Sequence, residues 1–144
     1  MIRQTLSRLA KSCEGAAALE FALIAPILLT LMLGVFQVGI GMQNYNALRS
    51  VSSDMGRYAV VGYQNSNSLT NSEIENFGRS VAMTAPYGLR TDRLEVHVEN
   101  VDTPSIVGTT EKTIRLTYSV PSVLSVIGFS EFPITFNRKV YLIV

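Results

Sequence analysis

One acidic side chain, Glu20, stands at the edge of a long apolar run and five residues after Gly15. The run continues from Phe21 to Met42 without another charged residue. An ionised carboxylate in or near membrane hydrocarbon is costly, and such residues usually mark a functional site. Glu20 is therefore the first candidate for chemistry. The alternative is an acid whose side chain reaches the interface and offsets the partial positive charge of the first helical turn.

The remaining residue types argue against catalysis. His97 is the only histidine and Cys13 the only cysteine, so a tetrahedral zinc site of the usual kind cannot be assembled. The sequence has no glycine-rich phosphate loop, nucleophile elbow or HExxH motif, and its scattered acidic residues do not form a recognisable calcium loop. We therefore expect no enzyme activity, no cofactor and no metal site.

The apolar run itself predicts a membrane-spanning helix. About 22 residues, from Phe21 to Met42, would form roughly 33 Å of helix, enough to cross the hydrocarbon core of a bilayer. In lipid the backbone must satisfy its own hydrogen bonds, so the segment has to be helical. Thr30 and Gln37 are its clearly polar residues, and Pro26 should bend or loosen the helix because it removes one backbone hydrogen bond.

Small residues recur along this helix. Ala18, Ala22 and Ala25 form one stripe, and Gly34 and Gly41 lie two turns apart on one face. Small residues let neighbouring helices approach closely in lipid, so these five positions are candidates for helix packing. The alternative explanation is that glycine is commoner in membrane helices in general.

The spacing of Gly15, Glu20 and Phe21 resembles the processing site of type IV prepilins, in which a membrane peptidase cuts after the glycine. The wider segments EGAAALEFALIAPILLTLMLGVFQVG and NALRSVSSDMGRYAVVG resemble the TadE-like minor pseudopilins of tight-adherence (Flp) pilus systems. The resemblance covers about residues 12–62. Flp pilins proper tend to carry tyrosine where this chain has Phe21, and the downstream part of this chain is too large for a Flp pilin. Both departures favour a pseudopilin over a major pilin.

The resemblance implies a pilus assembly protein that is made as an inner-membrane prepilin and cleaved after Gly15. Cleavage would free an α-amino group at Ala16, one helical turn from Glu20, where each charge could offset the desolvation of the other. In pilin-like assemblies the glutamate is thought to pair with the amine of a neighbouring subunit and to set its register. A flexible glycine would let the backbone enter the peptidase in extended form.

The same resemblance implies the partners of the protein. They are the prepilin peptidase, the platform proteins of the inner-membrane secretion machine and other pilin-like subunits, with membrane lipid around the helix. No small-molecule substrate is implied. The formal net charge of +1 gives no sign of a nucleic-acid partner.

The basic character of the chain is concentrated in residues 1–15, which we interpret as a cytoplasmic leader. This leader carries three basic residues and one acid. By the positive-inside rule it stays in the cytoplasm and the C-terminal part lies in the periplasm. Its removal leaves nine of the 12 Lys and Arg residues against ten of the 11 Asp and Glu residues. Cys13 would leave with it, so the exported part would contain no disulfide.

Two other interpretations stay open. An unprocessed bitopic membrane protein would start at Met1 and use its periplasmic part for binding. A secreted α+β domain would be cut near Gly41, although the apolar run is longer than the roughly 7–15 residues of a signal-peptide core. The N-terminal residue of the mature protein distinguishes these two from a pseudopilin that starts at Ala16.

Helical periodicity continues beyond the membrane run. Apolar residues recur at helical spacing at Leu48, Val51, Met55, Tyr58 and Val61 or Gly62. We therefore predict one helix over 16–62, whose outer half is an amphipathic stem with an apolar stripe that a globular head can cover.

Residues 63–144 are predicted to form this periplasmic head, because about a hundred residues outside the leader and membrane helix suffice for a modest core. A second helix would start near Ser72, where Ser72 and Glu75 fit a capping box, and would end at APYG, 85–88. We expect Ile74, Phe77 and Val81 to be its buried side.

Alternating apolar and polar residues then predict three strands. The first two runs have apolar positions at 94, 96 and 98 and at 114, 116, 118 and 120, and the third covers 132–144 with Pro133 suited to an edge. The predicted fold class is α+β: a long N-terminal transmembrane and stem helix, then a small head with a second helix and an antiparallel sheet of about three strands.

Overall fold

The computed structural model describes residues 13–65, 68–123, 125, 128 and 130–143. Five elements and one short turn make up the fold. They are α1 (Cys13–Gln64), α2 (Asn71–Met83), a 3-10 turn (Thr91–Arg93), β1 (Leu94–Asn100), β2 (Thr110–Pro121) and β3 (Glu131–Leu142). The α+β class is confirmed, with its long N-terminal helix, second helix and three-stranded antiparallel sheet.

Helix α1 has 52 residues and is therefore about 78 Å long. It begins three residues before Ala16 and contains Pro26 within its length. Thr30 Oγ1 donates a hydrogen bond of 2.8 Å to Pro26 O, the kind of side-chain contact that helps membrane helices to accommodate proline. Of the predicted leader, residues 1–12 lie outside the described part of the chain, and residues 13–15 belong to α1.

Helix α2 has a different N-cap from the predicted one. Thr70 is the cap: its hydroxyl accepts from the backbone N–H of Glu73, and Glu73 accepts from the Thr70 backbone N–H at 2.8 Å. The predicted box of Ser72 and Glu75 is therefore wrong by two residues. Glu75 instead accepts a 2.9 Å hydrogen bond from the backbone N–H of Val98, so that its carboxylate ties α2 to β1.

The sheet is a simple meander in the order β1-β2-β3, with both pairs antiparallel. The predicted alternation is confirmed on β1 and β2, where all seven of the predicted inward apolar side chains are buried. Val96 pairs with Leu116, and Leu116 pairs with Phe136 on the other side. Pro133 lies near the start of β3, an edge strand, as its missing N–H requires.

Both helices pack on the apolar face of this sheet. Leu48, Val51 and Met55 of α1 are fully buried, which confirms the first half of the predicted stripe. The second half is wrong: the buried position is Ala59, whereas Val61 is 54% exposed. A residue four positions after Met55 stays on the covered face of a helix, while one six positions after it turns away.

Two contacts between side chains complete the attachment of the stem to the head. Tyr58 stacks on Phe77 of α2, with their ring centroids 4.1 Å apart. Tyr87 Oη donates a 2.8 Å hydrogen bond to Asp54 Oδ2, and this bond raises the pKa of the Tyr87 hydroxyl. The head therefore holds the outer half of α1 by apolar packing and by a charge-assisted hydrogen bond.

Candidate functional site: the bare helix and its junction with the head

The N-terminal part of α1 projects from the head without any cover. Every residue from 15 to 36 is exposed or half-exposed, including large apolar side chains such as Phe21 at 71%. We call residues 15–36 the bare helix. Such a surface is unfavourable in water and favourable in hydrocarbon. It is the helix in the described part of the chain that is long and apolar enough to cross a membrane, which suggests a membrane anchor.

The predicted processing residues lie at the start of this bare helix. Gly15, Ala16, Glu20 and Phe21 are all exposed and all helical. The first four N–H groups of a helix have no intrahelical acceptor, so extending the chain at the bond between Gly15 and Ala16 breaks few hydrogen bonds. Ala16 and Glu20 are one turn apart on the same face, as an amine and carboxylate pair would need.

The predicted helix-packing residues fall into two groups. Ala18, Ala22, Ala25 and Gly34 lie on the bare helix, and a Cβ added at Gly34 would have nothing within 4 Å. Gly41 instead lies against the head of the same chain, where an added Cβ would be 3.4 Å from the ring of Phe132. Gly41 thus allows a close approach between the helix and the head.

The main contact between the helix and the head that the sequence did not predict is made by Gln37. Its side chain is only 8% exposed although it lies in the apolar run. Its Oε1 accepts a 2.6 Å hydrogen bond from the backbone N–H of Val123, and its Nε2 donates to Pro121 O at 3.3 Å. A polar residue within an apolar run was the available signal, but the partner lies more than 80 positions away in the sequence.

Gln37 therefore divides the apolar run into two parts. Up to Phe36 the helix is bare, whereas from Gln37 to Met42 the head lies along one side of it. The other side stays open, since Val38 and Met42 are each 63% exposed. The head thus lies along about the outer quarter of the predicted membrane span, and its backbone satisfies the one amide side chain there.

A groove lies between this part of α1 and the first half of β3. We call it the junction groove, and its volume is about 390 Å³. Its lining residues are Gln37, Val38, Gly41, Met42, Tyr45 and Asn46 of α1, and Phe132 and Ile134 of β3. None of them is charged. Tyr45 also packs edge-on against Phe136, with the ring centroids 5.6 Å apart, which fixes the upper end of the groove.

In the part of the chain that the structure describes, titratable groups do not gather elsewhere into a recognisable centre. Within residues 13–65, 68–123, 125, 128 and 130–143, no three His, Cys, Asp or Glu side chains are placed to hold a metal ion. His97 lies on the exposed face of β1, with Nε2 2.9 Å from Glu99 Oε1. The features that stand out are therefore the bare helix and its junction with the head.

Comparison with known proteins finds a family match over the same part of the chain. Residues 15–57 match the family described as TadE-like protein. No curated protein and no solved structure matches the chain. The family match begins at Gly15 and covers the bare helix, the junction and the buried turns of the stem, and it suggests that the protein takes part in a Tad/Flp pilus system. Over residues 15–57 the chain is similar to the TadE-like family, which confirms the family resemblance found in its sequence.

Proposed function

We propose that this protein is a minor pseudopilin: a pilus assembly protein, made as an inner-membrane prepilin, that is cleaved after Gly15 and takes part in building a Flp-type (tight-adherence) pilus. The observation that carries the proposal is the bare helix. It lies on α1 from the glycine of the prepilin-like motif onward, carries the carboxylate of Glu20 five residues later, and is joined to a compact head. The family match over residues 15–57 supports it.

In the proposed mechanism the leader keeps the N-terminus in the cytoplasm and the head in the periplasm. The peptidase cuts after Gly15, and the new α-amino group at Ala16 lies one turn from Glu20. In the membrane, the Glu20 carboxylate pairs with the α-amino group of Ala16 in the same chain. In the assembly, it pairs with the α-amino group of a neighbouring pilin-like subunit. In both cases neither charge is left unpaired in an apolar environment. The partners are the peptidase, the secretion platform and the other subunits.

The contacts of Gln37 weigh against the secreted alternative. A cut near Gly41 would remove Gln37 and leave the backbone groups of Val123 and Pro121 without their partner. It would also remove part of the junction groove. The unprocessed bitopic alternative keeps all of these contacts, so the position of the mature N-terminus has to distinguish it from a pseudopilin.

N-terminal sequencing of the protein from cells with an intact prepilin peptidase is expected to give a chain that starts at Ala16. Replacement of Gly15 by leucine should abolish this product, because a bulky side chain beside the scissile bond would not fit the peptidase. The matched control is Gly34→Leu, a glycine in open space on the same helix, which should be processed normally. A start at Met1 in the unmodified protein would refute processing, and a start near Met42 would make it a secreted domain.

Replacement of Glu20 by glutamine is expected to separate processing from assembly. Cleavage should proceed, but pilus yield should fall at least about tenfold, since an unpaired charge inside a membrane costs about 2.5–3.5 kcal/mol and 1.4 kcal/mol is a factor of ten. Pili sheared from cells and quantified by immunoblot measure the effect. The control Glu95→Gln makes the same change on the exposed face of β1. Normal piliation in Glu20→Gln would exclude the proposed pairing.

A further inference from the structure

We propose that the junction groove binds an acyl chain of a membrane phospholipid, in the leaflet on the side of the head. The proposal rests on the membrane anchoring that is part of the proposed function. It goes beyond it in assigning a lipid site, built jointly by α1 and β3, to a head domain that would otherwise only stand above the membrane. Three observations carry it: the depth of the groove, the chemistry of its walls and the composition of the adjacent connection.

Depth is the first observation. The charge-free run from Phe21 to Met42 is about 22 residues, or roughly 33 Å, against a hydrocarbon core of about 30 Å. If Glu20 stays at the opposite interface, the residues from Gln37 to about Ile40 lie within the hydrocarbon on the side of the head, and Gly41 and Met42 lie at its boundary. The lower part of the groove is lined by these same residues, so it opens into the acyl chains and not into water.

The walls give the second observation. Val38, Gly41, Met42, Phe132 and Ile134 offer an apolar surface, and no charged side chain is among the lining residues. An uncharged, flexible hydrocarbon chain matches such a lining, whereas a headgroup or an acidic segment would find no counter-charge there. The volume of about 390 Å³ lies within the range of sites that bind small ligands.

The positions of the polar groups in the groove also fit a lipid chain. Tyr45 and Asn46 lie at its upper end, where a lipid chain would meet the headgroup region, and tyrosine is enriched at this depth of a bilayer. Gln37 lies at the lower end, but its amide is occupied by the backbone of residues 121 and 123. The deep end is therefore effectively apolar, and polarity increases toward the water.

The third observation comes from the connection between β2 and β3, which begins at the contact with Gln37. Its sequence from 122 to 130, SVLSVIGFS, contains no charged residue, and the first charged residue after it is Glu131. Val123 in this connection is exposed at 37%. A connection of this composition is compatible with lipid and would be unusual for a loop in water.

Two glycines of α1 provide a matched test of the site. Leucine at Gly41 would project toward the ring of Phe132 and fill the groove, whereas leucine at Gly39 would extend into open space. The full-length protein would be extracted from vesicles of a single synthetic phosphatidylcholine into detergent and weighed by native mass spectrometry. We expect one retained phospholipid on the wild type and on Gly39→Leu, and its loss on Gly41→Leu.

A second measurement reports where the lipid is, because the chain contains no tryptophan. Tryptophan would be introduced singly at Met42 in the groove, at Val35 on the bare helix and at Val61 on the upper stem, all exposed positions. In vesicles of phosphatidylcholine brominated on its acyl chains, fluorescence should be quenched at 35 and 42 but not at 61. After transfer to unbrominated detergent, quenching should persist at 42 and disappear at 35.

The outcomes separate this proposal from the proposed function. No quenching at position 35 would refute membrane anchoring itself. Quenching at 35 but not at 42 would place the groove outside the bilayer, and equal recovery of both in detergent would show that the groove retains no lipid. Retention of lipid by Gly41→Leu would also overturn the site. A dimer mass without a lipid adduct would show that a second copy of the chain occupies the groove instead.

Discussion

Replacement of Met55 by alanine is expected to destabilise the head by about 2–5 kcal/mol, the usual range for truncating a fully buried large side chain. Met55 is 0% exposed and lies on the face of α1 that the head covers. Its side chain packs directly against Gly78 of α2, where an added Cβ would lie 2.5 Å from Met55 Sδ. The contact between these two helices therefore depends on a large residue on one and the absence of a side chain on the other.

A double-mutant cycle makes this prediction specific. In the wild type, Gly78→Ala should destabilise the head because its methyl group would lie 2.5 to 3.1 Å from Sδ, Cε and Cγ of the fully buried Met55, whose side chain would have to shift within the core. In the Met55→Ala background the same change should stabilise it by up to about 1 kcal/mol, the helix propensity of alanine over glycine. The effect of Gly78→Ala should thus change sign between the two backgrounds.

Urea unfolding of the full chain in detergent micelles, followed by the near-ultraviolet circular dichroism of its tyrosines, would measure these effects. The bare helix would stay in the micelle, so the signal reports the head. Val61→Ala is the control, because Val61 is 54% exposed and its truncation should change stability by less than about 0.5 kcal/mol. Additive effects of the two substitutions would contradict the close contact between Met55 and Gly78.

Local sequence patterns were sufficient to predict most of the fold. The alternation at Val96 and Val98 and at Ile114 and Leu116 has a period of two, which only a strand with one covered face produces. The stem was predictable for as long as the helical period kept Leu48 to Met55 on one face. The prediction of a buried stripe failed at Val61, because several residues near the end of the helix are apolar. The sequence does not show where the head stops covering the helix.

The junction could not be predicted in the same way. Gln37 was visible as a polar residue in an apolar run, but its partners, Pro121 and Val123, are more than 80 positions away and contribute only backbone atoms. Backbone groups have no sequence signature. For the same reason Gly41 was predicted as a contact for another helix, whereas within this chain it lies against Phe132. The prepilin-like motif was readable because its residues are adjacent.

Glu111 shows a second limit of alternating patterns. It lies on β2 among residues of the sheet face opposite the two helices, a position that indicates exposure, yet its side chain is 0% exposed. Its Oε2 accepts a 2.5 Å hydrogen bond from the backbone N–H of Ser105, and its Oε1 lies 2.7 Å from Lys139 Nζ. The connection between β1 and β2 folds over the carboxylate, and no periodicity predicts such a cover.

The ion pair with Lys139 and the hydrogen bond from Ser105 lower the pKa of Glu111 from 4.5 to about 2. A carboxyl group with a lower pKa in the folded state than in the unfolded state binds fewer protons when folded. The contribution of the Glu111 carboxylate to the free energy of unfolding is therefore fully present above about pH 4.5 and is lost as the pH falls toward 2. The same pair raises the pKa of Lys139, whose contribution is lost only at strongly alkaline pH.

Replacement of Glu111 by glutamine is therefore expected to destabilise the head at neutral pH and to remove this part of the acid dependence. The difference in unfolding free energy between wild type and variant should be largest above pH 4.5 and should shrink toward pH 2, with a slope that approaches one proton per molecule. Urea unfolding in micelles at a series of pH values measures it. The control Glu95→Gln, an exposed acid on the same sheet face, should retain the wild-type slope.

Lys139→Met tests the cause of the lowered pKa. Apart from Lys139, no group in the described part of the chain pairs with Glu111 Oε1. Without the ammonium group the carboxylate stays under its cover with only the hydrogen bond from Ser105, so the pKa of Glu111 should rise and the acid-dependent loss of stability should begin at a higher pH. If the unfolding free energy of Lys139→Met falls over the same acidic pH range as that of the wild type, Lys139 does not stabilise the buried charge.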